Sequence, residues 1–138
     1  MSDQQQVAMI RGFYEAFARG DLPFILDNLA EDVEWRSPPS VPWSQGVHRG
    51  RDAVGRYFGR LGEHCSEFQV EPREFLAGDD HVVSIGTYRG RARETGQEFE
   101  VSYAHVWRLA GVKVVDHEAY ADTATMIEAL SGIPAAQG

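Results

Sequence analysis

The sequence predicts an α+β domain: a curved antiparallel β-sheet shaped as a cone open at one end, with three helices packed on its concave face. Three observations carry that prediction. Apolar residues near the N-terminus recur at helical spacing, whereas from Phe68 onward they alternate at strand spacing. The segment 98–120 holds two runs rich in Val, Tyr, Phe and Trp, separated by Ala110-Gly111, which is the composition of a β-hairpin. Each run is about ten residues long where roughly five or six is usual, so the sheet must bend, and a bent sheet has an inside.

Taken in order, Val7, Ile10, Phe13, Tyr14 and Phe17 form one face of a first helix over 6–19, which Gly20 ends. Asp21 then caps a second helix opening on Leu22-Pro23, because its carboxylate accepts free backbone N–H groups and proline fits a first turn. That helix is expected to run through Ile25, Leu26 and Leu29 to Glu31-Asp32. Val33-Glu34-Trp35-Arg36 alternates as a short strand, which Ser37-Pro38-Pro39 ends. Residues 38–50 read as a loop of the length that often carries function. A third helix follows, with Ala53, Val54, Tyr57, Phe58 and Leu61 on one face. The strand over 68–76 contains Pro72, which requires an edge or a bulge. Gly78-Asp79-Asp80 turns the chain into 81–93, Thr95-Gly96 turns that into the long hairpin, and Asp122 caps a last short helix to Leu130. One domain spans 1–138, with its core over 7–130 and a frayed tail over 131–138.

Thirteen Lys and Arg against 21 Asp and Glu leave a net charge of −8, which repels phosphate backbones, so no nucleic-acid partner is expected. No run approaches the roughly 18 apolar residues of a membrane helix. The start MSDQQQ lacks the basic and apolar regions of a signal peptide, and a cytoplasmic protein with no membrane partner is expected. The single Cys65 permits no internal disulfide and offers no metal-binding spacing. With no phosphate loop or nucleophile elbow either, no metal and no cofactor are expected. Arg89, Arg91 and Arg93 alternate along one strand and line one face of it, as a solvated edge or an anion-binding patch.

Four segments in this order, FYEAFARGDLPFILDNLAEDVEW, HRGRDAVGRYFGRL, TYRGRARETGQEFEVSYAHVWRLAGVKV and EAYADTA, resemble the SnoaL-like, ketosteroid isomerase-like branch of the nuclear transport factor 2-like superfamily. The resemblance covers about 7–130. It implies a curved-sheet cone, frequently a homodimer through the convex face, with a mostly apolar pocket for a hydrophobic small molecule. Isomerases, polyketide cyclases, hydrolases, dehydratases and non-catalytic binding modules share that fold, so fold does not give function.

Residue by residue, the family's steroid isomerases use an aspartate base with a tyrosine and a protonated aspartic acid as oxyanion donors. Those roles fall on Ser37, Phe13 and Ala104, none of which can perform them, and a steroid-isomerase mechanism is disfavoured. The resemblance also implies that Ala104 and Val106 face the pocket with His117 and Ala119, joined by Val82, Ser84 and Tyr88. Phe13, Phe17, Trp35, Ser37, Tyr57 and Phe58 supply further wall. His117 and His105 are the candidate catalytic residues, because a neutral imidazole can relay a proton at physiological pH. His105 matches the histidine of the family's cyclases, but the position of its aspartate partner holds Ala119.

If Ala104 and Val106 face inward, Tyr103, His105 and Trp107 lie on the convex face, where a second copy would cover them as a homodimer. A one-residue slip would instead bring His105 and Glu118 into the cavity. Two functions stay open. One is a cofactor-independent isomerase, cyclase or hydrolase working by general acid/base chemistry on a hydrophobic substrate; the other is a non-catalytic binding module.

Overall fold

The computed structural model describes residues 1–132. Its elements are α1 (Asp3–Ala18), α2 (Leu22–Asp27), β1 (Leu29–Arg36), β2 (Val47–Arg49), α3 (Arg51–His64), β3 (Cys65–Gly78), β4 (His81–Ala92), β5 (Glu98–Ala110), β6 (Lys113–Ala121) and α4 (Thr123–Ser131). The strands form one sheet in the order β2-β1-β6-β5-β4-β3. The α+β cone is as predicted, with the expected last short helix after β6 and one parallel pairing, between β1 and β6. None of the helices described is long and apolar enough to cross a membrane. The expected frayed tail lies outside the described residues from 133 on; Ser131 and Gly132 close α4.

Local chemistry explains the element ends. Ser2 and Gln5 form a reciprocal capping box, so α1 begins at Asp3 rather than near Gln6. Asp21 accepts the Phe24 N–H at 3.1 Å and Asp122 the Thr125 N–H at 3.2 Å, as predicted for both caps. The second helix stops four residues before Glu31, because the Asn28 carbonyl accepts the Val114 N–H at 3.1 Å and Leu29 pairs with Val114. Strand pairing there satisfies the backbone groups that another helical turn would have used. Pro72 sits on β3, an edge strand, beside a register shift between Pro72 and Glu74, so both consequences drawn from it appear together.

The core fills the space between helices and concave sheet, and here the predicted strand faces need correction. Tyr103, His105 and Trp107 point into the cone and are buried, while Ala104 and Val106 lie half-buried on the opposite face. The cause is a bulge. In the β5–β6 hairpin Ala110 pairs with Lys113 and Leu109 with Val114, but Arg108 pairs with Asp116, leaving Val115 as an extra residue. Without it Val106 would oppose His117; with it Trp107 opposes His117 and His105 opposes Ala119. One inserted residue therefore turns β5 over relative to β6. The predicted convex patch of Tyr103, His105 and Trp107 does not exist, and neither does a cavity-facing Glu118, whose neighbour in the ladder is Val106.

Small residues make room for the cavity at Ala119 and Ala121, and for an aromatic ring at Gly86. A Cβ built on Gly86 would meet the Glu71 carbonyl oxygen at 2.2 Å and the Tyr103 ring at 2.8 Å. Tyr103 lies across Gly86 and stacks on Tyr88, centroids 4.7 Å apart and planes at 14°.

Candidate active site in the cone

Helix α1 lays Phe13, Tyr14 and Phe17 over the sheet, α3 adds Tyr57 and Phe58, and β1 contributes Trp35, followed by Ser37 just past its end, to a cavity floored by Tyr88, His105, Trp107 and His117. Its free volume is about 70 Å³, a narrow slot where a single water needs about 10–15 Å³. A larger wall-to-wall space of about 720 Å³, continuous with solvent, surrounds it. Among the described residues no Asp, Glu, Lys or Arg lines the cavity.

Of the residues singled out in the sequence, His105, His117, Phe13, Phe17, Trp35, Ser37, Tyr57, Phe58 and Tyr88 meet here. Ser84 does not line the cavity; it is fully buried behind the floor, with its hydroxyl 3.2 Å from that of Tyr103. Ala104 and Val106 are excluded by the β5 orientation. Tyr14 and Trp107 are the residues that sequence reasoning missed. Tyr14 adjoins Phe13 on a helix, a rotation of about 100°, yet both belong to the apolar stripe of α1, and the curved sheet wraps far enough round the helix to meet both. That stripe was the available signal.

His105 is held at both ring nitrogens. The Tyr14 hydroxyl lies 2.7 Å from Nδ1, the Tyr88 hydroxyl bonds Nε2, and Trp107 Nε1 donates to the Tyr14 oxygen at 3.1 Å. Burial pushes the His105 pKa down to about 3 and pushes those of Tyr14 and Tyr88 up, so the network is uncharged at neutral pH.

His117 differs. It is 2% exposed, stacks on Trp35 and abuts Trp107 edge-on, with ring centroids 4.4 Å apart. Among the described residues neither of its nitrogens has a hydrogen-bond partner, and Trp35 Nε1 has none nearer than the Tyr57 hydroxyl beside it. Burial, helped by the neighbouring His105, holds its pKa well below the usual histidine value.

The loop after β1 closes one side of the cavity with Pro38, Val41 and Trp43. His48 on β2 pins that loop: its Nδ1–H donates to the Trp35 carbonyl at 2.9 Å, and its Nε2 accepts the Gln45 N–H at 3.0 Å. Arg60 Nε donates to the Trp43 carbonyl at 3.0 Å, and the Ser37 and Tyr57 hydroxyls lie 3.1 Å apart. Among the described residues no three His, Cys, Asp or Glu converge as metal ligands. Arg89 and Arg91 pair with Glu71, Glu98 and Glu100, which makes their strand face a solvated ion-pair ladder.

Comparison with known proteins finds that residues 10–117 fit the SnoaL-like domain. The chain belongs to the SnoaL-like family. An uncharacterised protein of Mycobacterium tuberculosis is 32% identical over 126 residues, covering 90% of this chain and 95% of its own. The crystal structure of an NTF2-like protein of unknown function from Burkholderia pseudomallei superposes with a TM-score of 0.87 at 34% identity, over 95% of this chain and 99% of that one. A candidate SnoaL-like polyketide cyclase from Jannaschia superposes with a TM-score of 0.83 over 96% of this chain and 95% of that one; at 15% identity it shares the fold alone.

Proposed function

We propose that this SnoaL-like protein is a cofactor-independent enzyme that moves a proton on a flat, hydrophobic, carbonyl-bearing small molecule, an isomerase, cyclase or hydrolase in which His117 exchanges the proton. The observation that carries this is the pair of bare nitrogens on His117. A buried polar group without a partner costs about 1–3 kcal/mol, and native folds seldom tolerate one without a reason. Bonding to a ligand supplies that reason, and the Trp35 Nε1–H beside it, which has only the Tyr57 hydroxyl near it, supplies a donor for a ligand oxygen. Trp35 and Trp107 hold the imidazole on two sides, which fixes its orientation. Being neutral, it can take a proton from carbon next to a carbonyl while the oxygen gathers charge against the indole N–H. The cavity positions matching a steroid isomerase base and donor hold Ser37 and Phe13, so that particular mechanism stays disfavoured.

Deuterium exchange at the α-carbon of 2-tetralone in D₂O, followed by NMR, tests the proposal. The wild type is expected to accelerate exchange over buffer and His117→Gln to lose the acceleration. No acceleration by the wild type across a panel of aromatic ketones defeats it. A second reading, a non-catalytic binding module, is favoured by the uncharged lining, since a proton left on His117 would have no carboxylate beside it. Binding without exchange is its signature.

A homodimer is part of the proposal, but through other residues than the sequence suggested. Val83, Ile85, Ala104 and Val106 are half-buried on the convex face, flanked by Leu76 and Tyr120 at 54% and 53% exposure. A two-fold copy would cover them. Light scattering at micromolar concentration showing a monomer would remove this part.

A further inference from the structure

We propose that Tyr88 is the hydroxyl donor the cone presents to its ligand, and that His105 acts one step behind it as a positioning residue, fixed as the Nε2–H tautomer. This deepens the function proposed above and rests on its premise that the cone binds an oxygen-bearing ligand.

The tautomer follows from counting protons. A neutral imidazole has one N–H and one lone pair, yet both nitrogens of His105 are bonded to phenol hydroxyls. One phenol therefore donates to the ring and the other accepts from it. The accepting phenol keeps its own proton for a third group. Tyr14 already accepts the indole N–H of Trp107, which can only donate. An oxygen that accepts one bond is polarised into a better donor, so the Tyr14 proton goes to Nδ1. The ring proton then sits on Nε2 and is donated to Tyr88.

Tyr88 is left with a proton to give. Among the described residues its hydroxyl is bonded to His105 alone, and its side chain lines the cavity. A donor so placed meets a ligand oxygen and nothing else. The opposite tautomer would leave the spare proton on Tyr14, where Tyr103 and Ser84 offer it acceptors within the protein. Every link in the chain from Trp107 through Tyr14 and His105 to Tyr88 thus runs one way, towards the cavity. His105, with both nitrogens occupied, has no lone pair to offer a substrate, and the proton-exchanging role falls to His117 alone.

Two measurements test this separately from the function. In protein labelled with ¹⁵N-histidine, long-range ¹H–¹⁵N correlation at neutral pH is expected to show Nε2 of His105 protonated and Nδ1 bare. Trp107→Phe, which frees the Tyr14 oxygen, is expected to convert that signal to a mixture of tautomers. A protonated Nδ1 in the wild type overturns the proposal. The second measurement compares binding of 1-indanone with that of indane, the same frame without the oxygen. Tyr88→Phe is expected to weaken indanone about fivefold to tenfold, the scale of one neutral hydrogen bond, and leave indane unchanged. An equal loss for both, or none for either, overturns it. If neither probe binds the wild type, the cone is not a site for such ligands and the premise fails, while the tautomer result still decides whether the chain of bonds runs as described.

Discussion

His117 lies face to face with Trp35, ring centroids 3.7 Å apart and planes at 16°, yet among the described residues no side chain or backbone group bonds either imidazole nitrogen. The stack holds the ring in place and leaves its polar edge without an owner. If that edge is kept for a ligand, removing it should help the empty protein. His117→Phe is expected to raise unfolding free energy by about 1 kcal/mol, by deleting unpartnered buried nitrogens, and to abolish ligand binding and proton exchange. Urea denaturation beside a binding assay checks it, and a lower stability with binding intact would show that the nitrogens are satisfied by the protein.

Acid should loosen the domain in a defined window. His105 has its pKa lowered from 6.5 to about 3, and His117 and His48 are lowered too, each first by burial. Between those values the unfolded chain binds protons that the folded chain does not, so stability is fully present above pH 6.5 and falls as pH drops towards 3. Across that window His105 contributes a slope of about 1.4 kcal/mol per pH unit, and His117 and His48 act in the same direction. Denaturation midpoints at pH 7, 6 and 5 should fall progressively, and less steeply in His105→Gln.

His48 ties β1 to the loop that walls the cavity, through Trp35 and Gln45. His48→Ala strands the buried Trp35 carbonyl, at about 1–3 kcal/mol, and releases the Gln45 N–H to water. Lower stability is expected, together with new protease cleavage between Pro38 and Gly46. Unchanged cleavage would show that Arg60 and Ser44 hold the loop without it.

Most of the fold was legible because caps, breakers and periodicity are local. Asp21, Asp122 and Pro72 each act within a few residues of themselves, and each is where the sequence places it. The strand faces were less so. Alternation in 101–109 separates Tyr103, His105 and Trp107 from Ala104 and Val106, but the choice of inner face depends on the residue opposite, and the Val115 bulge alters that without any glycine or proline to announce it. The bulky face of β5 is inside because the small residues opposite it, Ala119 and Ala121 on β6, leave room together with the curvature. His117 was found; its bare nitrogens were not, since lacking a partner is a property of its surroundings.

Gly86 should tolerate no side chain. Gly86→Ala sets a methyl against the Glu71 carbonyl and the Tyr103 ring, and overpacking of this kind costs about 1–3 kcal/mol. The expected result is a lower melting temperature with weaker amide protection along β3; an unchanged melting temperature would mean that Tyr103 can move aside freely.

The bulge at Val115 also leaves the chain two hairpins to choose between as it folds. The regular ladder closes from the Ala110–Lys113 end with no residue left over, and it would turn Asp116 and Glu118 into the apolar cone. Desolvating two carboxylates there costs far more than the ladder bonds a bulge forfeits. In the folded domain Asp116 instead pairs outward with Arg36 of β1. The register is therefore chosen by partners distant along the chain. A peptide of residues 98–121 alone, lacking β1 and the helices, is expected to favour the regular pairing, and the bulge to appear only once Trp35 is there for His117 to stack against.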